Sequence, residues 1–166
     1  MTDNQTKDAI GVVNDYRQLI AAQQTLLLST CSIDNEPDIS YAPFVRNEQG
    51  YFYIFISTLA KHTKHLMDNP LASILFIEPE ERCRNLFARA RVVFQCSVIH
   101  IEPGTPAYEN QLRALQEKFG ETVALLRTLP DFHLFQLKPE SGHYVAGFGK
   151  AYTINLNDNS LSLIGG

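Results

Sequence analysis

Short runs of β-branched and aromatic residues, broken every few positions by turn-forming residues, recur along most of the chain. This rhythm constrains the fold more than any other feature. Residues 26–33 form one such run, and Asp34-Asn35-Glu36-Pro37 closes it with a turn. Residues 38–46 can return beside it, Asn47-Glu48-Gln49-Gly50 turns the chain again, and residues 51–57 are aromatic and β-branched. The sheet therefore opens as an antiparallel meander. Further strands are expected at residues 71–77, 87–101, 132–137, 144–148 and 151–156. A hairpin turn is expected at Pro139-Glu140-Ser141-Gly142, and a bulge or tight corner at Gly147-Phe148-Gly149. Many short antiparallel strands favour a small closed or partly open barrel with helices packed outside it.

The helices announce themselves by a change of period. Ile10, Val13, Tyr16, Leu19 and Ile20 recur at helical spacing, so an amphipathic helix over about residues 9–22 opens the chain. Thr58 is placed to cap a short helix that runs to Asn69, with Leu59, His62 and Leu66 facing inward, and Asn69-Pro70 stops it. A helical insert of about residues 104–129 begins at Thr105-Pro106 and breaks at Gly120. The expected fold class is mainly β (α+β), a single domain over residues 1–166.

Composition removes several functional classes. Fourteen basic against eighteen acidic residues leave a formal charge of -4, so a nucleic-acid partner is not expected. No apolar run approaches the roughly 18 residues of a spanning helix, and the first ten residues lack the apolar stretch of a secretory signal. No membrane insertion is expected. Cys31, Cys83 and Cys96 show no CxxC spacing, which favours core filling and a reducing cytoplasmic location over a disulfide framework or zinc site.

The candidate functional residues are few. Ser57-Thr58-Leu59-Ala60-Lys61-His62 joins a strand to a helix start, where unpaired amides and lysines suit a phosphate or carboxylate; a plain capped helix is the alternative. Arg89 and Arg91 alternate on one expected strand and share a face, as a second anion candidate or as surface ion-pair partners. Asp131 stands at a strand entrance, where it is either a turn residue or the carboxylate that orients a ligating imidazole. His62 and His65 lie three apart on a short helix and read as solvated histidines or a metal pair.

Taken together, several blocks resemble a known superfamily. Asp38-Ile39-Ser40-Tyr41-Ala42-Pro43-Phe44-Val45, Gly50-Tyr51-Phe52, Ala60-Lys61-His62-Thr63-Lys64-His65-Leu66 and Asn69-Pro70 resemble the pyridoxamine 5'-phosphate oxidase-like, FMN-binding split barrels. Leu86-Phe87-Ala88-Arg89-Ala90-Arg91, Lys118-Phe119-Gly120-Glu121, Leu129-Pro130-Asp131-Phe132 and Gly147-Phe148-Gly149-Lys150-Ala151-Tyr152 are similar to its haem-utilisation branch, the HugZ/HutZ-like proteins. The similarity runs from about residue 12 to residue 156.

That resemblance implies a split β-barrel with peripheral helices that forms a homodimer, with ligand clefts at the dimer interface. It implies binding of haem and opening of the porphyrin ring for iron acquisition, with an external reductant and haem donor proteins as possible partners. Asp131 matches the carboxylate that holds the ligating histidine, and Arg91 matches the arginine near the haem. Tyr41, Phe44 and Phe148 would face the porphyrin. The family's axial histidine lies on a C-terminal tail, whereas no histidine follows His143 here. Either a tail continues past Gly165-Gly166, whose glycines suit a flexible arm, or haem is ligated in another way. FMN is the alternative cofactor. Ser57, Thr58, Lys61 and His62 match the helix-start half of an FMN site, while residues 40–45 lack a basic residue before Arg46. A non-catalytic haem carrier is the third reading.

Overall fold

A computed structural model describes residues 3–164, so the Gly165-Gly166 ending lies outside the described residues. Six antiparallel strands close into a barrel: β1 (Thr25–Cys31), β2 (Pro37–Arg46), β3 (Phe52–Ser57), β4 (Leu71–Ile77), β5 (Arg91–Ile101) and β6 (Phe132–Gly147). The sheet order is β3-β2-β1-β4-β5-β6, and pairing of β3 with β6 closes it. Two further strands, β7 (Lys150–Ile154) and β8 (Leu161–Leu163), extend the sheet beyond β6. The expected mainly β split barrel is the fold observed.

Alternation fills the barrel. Leu26 and Leu28 of β1, Ile54 of β3, Ile74 and Phe76 of β4, and Val92 and Phe94 of β5 all point inward and are buried. Phe52 lies 5.4 Å from Phe76 and 5.6 Å from Phe94, ring centre to ring centre, and forms the middle of the core. Each fully buried phenyl ring contributes roughly 1.5–3 kcal/mol. The first helix, α1 (Asp3–Ala21), starts earlier than its periodicity suggested and buries Tyr16 and Ile20 against this core. A second cluster lies outside the barrel. There, α3 (Pro106–Phe119) and α4 (Glu121–Leu126) pack Leu112, Leu115 and Val123 on Val45, Tyr53, Phe55 and Leu134. β3 is thus covered on both faces, which explains its unbroken apolar run.

β2 and β3 separate along part of their length. Their ladder spans only Phe44–Arg46 against Phe52–Ile54. Before Phe44, β2 pairs with β1, and after Ile54, β3 pairs with β6. Helix α2 (Lys61–Asp68) lies at this split, with His62, Thr63 and Leu66 buried. Thr63 Oγ1 donates to the carbonyl of Ser57 at 2.5 Å, and Thr30 Oγ1 lies 3.1 Å from His65 Nδ1. These bonds tie the helix to β3 on one side and β1 on the other.

Four local expectations are corrected. Residues 132–147 form one strand, with no hairpin at Pro139-Glu140-Ser141-Gly142. Gln95 and Cys96 of β5 pair with Ser141 and Pro139, so Glu140 bulges out of β6 and the ladder is interrupted beside the proline, which lacks an amide. Gly142 then permits close packing, because a Cβ there would meet the Phe94 ring at 2.8 Å. β5 begins at Arg91 rather than at residue 87, and Leu86–Ala88 form a 3₁₀ turn. Arg89 therefore leaves the strand face of Arg91 and donates through Nε to the Glu78 carbonyl at 3.0 Å. The cap of α2 is Ala60, not Thr58, and Leu59 is 91% exposed. His62 is buried in the split, and His65 is half-buried with its Nδ1 on Thr30, so they are not a freely solvated pair.

Candidate functional site

Asp131 and the strand-to-helix corner meet at one end of the barrel. The Ser57 hydroxyl donates to Asp131 Oδ2 at 2.5 Å and accepts the Leu59 amide at 3.1 Å. The Thr58 amide donates to the Asp131 carbonyl at 2.8 Å. Two candidates that are 74 positions apart in sequence therefore share one corner. It forms because the last residues of β3 pair with the first of β6, which brings Ser57 opposite Phe132. Lys61 opens α2 from the exposed side, whereas His62 lies beneath it, buried in the split. Burial holds the His62 imidazole below its ordinary value; Asp38 opposes that shift and His65 adds to it.

A pair of histidines that sequence reasoning had not joined lies at the same end. His100 Nε2 stands 3.1 Å from His133 Nδ1, and His100 Nδ1 stands 3.4 Å from Glu102. Burial lowers the His133 pKa; His100 lowers it further, while Asp131 and Glu102 pull it back. The alternation of β6 carried the signal, because His133 lies two and four residues before the inward-facing Phe135 and Leu137.

Arg91 and Phe148 lie at the other end. Arg91 opens β5 opposite Ile77 and Val145, and its Nη1 donates to the Arg89 carbonyl at 3.1 Å. Phe148 occupies the turn between β6 and β7 and is 69% exposed. The 3₁₀ turn adds Leu86 and Phe87 as exposed apolar residues that the strand reading of residues 87–101 had hidden. Ten residues of β5, roughly 30 Å of strand, separate Arg91 from Ile101, which pairs near the start of β6. Within one chain, Arg91 and Asp131 therefore lie at opposite ends of the barrel. Tyr41 lies elsewhere again, exposed on the outer barrel face opposite Leu27 and beside Ile39. Phe44 is different: it is 3% exposed and packs on Phe52 and Phe76 with the Lys118 ammonium over its ring, so it belongs to the core.

The sequence profile of the pyridoxamine 5'-phosphate oxidase family matches residues 13–146. The chain belongs to that family. Within it, this member is 39% identical over 146 residues to the heme oxygenase HutZ of Vibrio cholerae serotype O1, covering 88% of this chain and 81% of HutZ. The crystal structure of HutZ, the heme storage protein of Vibrio cholerae, superposes with a TM-score of 0.75 at 34% identity, covering 81% of this chain and 93% of HutZ. Campylobacter jejuni ChuZ superposes with a TM-score of 0.82 at 27% identity, covering 99% of this chain and 72% of ChuZ. This family member therefore stands in the HutZ branch. No helix among its described residues is long and apolar enough to cross a membrane.

The side chains present can be compared with what each cofactor requires. FMN needs cations at its phosphate. Arg46 is the first basic residue on β2, yet it pairs with Phe52 at the far end of β3, about 16 Å of strand from Ser57. Its guanidinium is committed there, with Nε on the Gly50 carbonyl at 3.3 Å and its plane 5.1 Å from the Phe52 ring. The Ser57 hydroxyl is committed to Asp131. At this corner, among the described residues, the Thr58 hydroxyl, the amides and one cation, Lys61, remain for a phosphate, which is a sparse charge complement for FMN. A porphyrin needs apolar cover, a cation for its carboxylates and a carboxylate to hold an imidazole. Tyr41, Phe148, Arg91 and Asp131 are groups of these kinds, but one chain holds them at separate places on the barrel. None of the five histidines is hydrogen-bonded to Asp131 among the described residues.

Proposed function

We propose that this protein binds haem between two copies of the chain and opens the porphyrin ring, releasing iron in the cytoplasm. The observation that carries this reading is the Asp131 carboxylate, fixed by Ser57 at the mouth of the split, in a chain related to a heme oxygenase. Haem is the substrate, and it also supplies the iron centre at which dioxygen is activated by electrons from an external reductant.

The chain's own groups bind and orient it. Asp131 accepts a hydrogen bond from the imidazole that ligates the iron, fixing its tautomer and raising its basicity. Arg91 pairs with a haem carboxylate, for which a planar guanidinium suits two parallel hydrogen bonds. Tyr41 and Phe148 cover apolar faces of the ring and keep water away. Arg91 and Asp131 lie too far apart in one chain to serve one haem, so the site is completed by a second copy. The outer face around Leu27, Ile39 and Tyr41 leaves apolar surface for that contact.

Ferric haem titrated into the protein should produce a saturable Soret band. With a reductant and oxygen, that band should bleach and iron should become available to a ferrous chelator. Haem that binds but survives reductant and oxygen makes the protein a carrier. Absorbance of a bound flavin, with no response to haem, overturns the reading in favour of FMN.

A further inference from the structure

The Asp131 carboxylate is held by one side-chain donor, and the geometry of that donor is fully determined. Ser57 Oγ carries one proton and accepts through its lone pairs. One lone pair takes the Leu59 amide at 3.1 Å. Asp131 Oδ2, 2.5 Å away, accepts the hydroxyl proton. The chain of donation runs in one direction, from the Leu59 amide through Ser57 to the carboxylate. The Asp131 backbone is pinned separately by the Thr58 amide, and the Ser57 carbonyl by Thr63 Oγ1. Backbone and side chain of Asp131 are thus fixed by adjacent residues of one corner. Among the described residues, Oδ1 receives no hydrogen bond.

A carboxylate with one oxygen occupied and the other open is set to accept one further donor in a defined direction. We propose that Ser57 is a positioning residue for Asp131: its hydroxyl occupies Oδ2 and aims Oδ1 at the imidazole N–H that the carboxylate must meet. This deepens the proposed function and rests on it. Among the described residues, no second side chain at the corner does the same work. Thr58 contributes only its amide to Asp131, and the Thr63 hydroxyl is used on the Ser57 carbonyl. Removing the Ser57 hydroxyl leaves Asp131 tethered by its backbone but free to rotate about its side-chain bonds, so rate is lost while the fold is kept.

The test uses Ser57→Ala, Ser57→Thr, Asp131→Asn and the double variant Ser57→Ala with Asp131→Asn. In the haem-free protein, the Asp131 carboxyl carbon resonance should move in Ser57→Ala and return towards its original position in Ser57→Thr, with melting temperatures within a few degrees of one another. In the haem-loaded protein, Asp131→Asn should slow haem breakdown about 10–100-fold. Ser57→Ala should slow it about 3–10-fold, the scale of one ordinary net hydrogen bond and less than the loss in Asp131→Asn, because the carboxylate and its backbone anchor remain. Ser57→Thr should restore it. Adding Ser57→Ala to Asp131→Asn should change the rate by less than about twofold, because a residue acting through Asp131 has nothing left to act on. Additive rate losses, or an unmoved carboxyl resonance, overturn the role of Ser57. A moved resonance with no rate loss in Asp131→Asn overturns the function proposed for Asp131 and leaves the Ser57–Asp131 coupling standing.

Discussion

His100 Nε2 and His133 Nδ1 lie 3.1 Å apart at the mouth of the barrel, so a single N–H bridges them. Burial and this neighbour keep the His133 pKa below the ordinary 6.5, and burial does the same for His62. Below pH 6.5 the unfolded chain therefore takes up protons that the folded chain refuses. Their stabilisation is complete above that pH and is lost as the pH falls from 6.5 through the lowered folded values. The urea midpoint should fall between pH 7.5 and pH 5, and fall less in His133→Gln. An identical fall in the variant would show that His133 takes no part.

Gly142 faces the Phe94 ring with no room for a methyl group, since a Cβ would approach it to 2.8 Å. Gly142→Ala should cost about 1–3 kcal/mol by overpacking, or roughly 3–10 °C in melting temperature. Phe94→Leu should recover part of that loss in the double variant. Calorimetry of the three variants checks the pair, and an unchanged melting temperature in Gly142→Ala would mean that β6 yields without strain.

Arg91→Ala should leave the melting temperature nearly unchanged, because the side chain's hydrogen bond goes only to the nearby Arg89 carbonyl. Haem affinity should fall about tenfold, the scale of one lost charge-assisted contact. A sharp fall in melting temperature with unchanged affinity would make Arg91 structural.

Leu27 and Tyr41 pair across β1 and β2 on the outer face and form the middle of its apolar surface. Sedimentation should find the protein dimeric at micromolar concentration and Leu27→Asp monomeric. Haem binding should weaken with dimer loss, because one copy holds Arg91 and Asp131 apart. A stable monomer that binds haem as tightly would end the shared-site reading.

Local signals read well where neighbouring residues decide the outcome. Thr105, Pro106 and Gly120 bound α3 as their chemistry required, with Thr105 Oγ1 accepting the Tyr108 amide and Gly120 at a φ of 71°. Reading failed where a distant strand overrides local preference. Pro139-Glu140-Ser141-Gly142 has turn chemistry, but pairing with Gln95 and Cys96 of β5 keeps it extended, with Glu140 bulged out of the ladder. Thr58 has cap chemistry, yet residues 57–60 form a turn closed by the Ala60 amide on the Ser57 carbonyl, and the helix begins only at Lys61. Phe44 sits in the family-like run 38–45, and only the alternation of β2 against Phe52 and Phe76 shows that it faces inward. The site residues were found one by one. Their grouping waited on the β3–β6 pairing, which no local signal announces.

That same pairing dictates how the chain must be made. β6 bonds to β5 along one edge and to β3 along the other, joining Phe52–Ser57 to residues 132–137. The first 101 residues contain a sheet ordered β3-β2-β1-β4-β5, with an unpaired strand on each side. One of those edges is β3, the most apolar strand of the barrel. During synthesis it remains open for the roughly two to seven seconds in which residues 102–137 are added at about 5–20 residues per second. Unpaired apolar edges of this kind invite pairing with other chains. One strand, arriving late, covers both edges at once, and the barrel passes from aggregation-prone intermediate to closed domain in that single step.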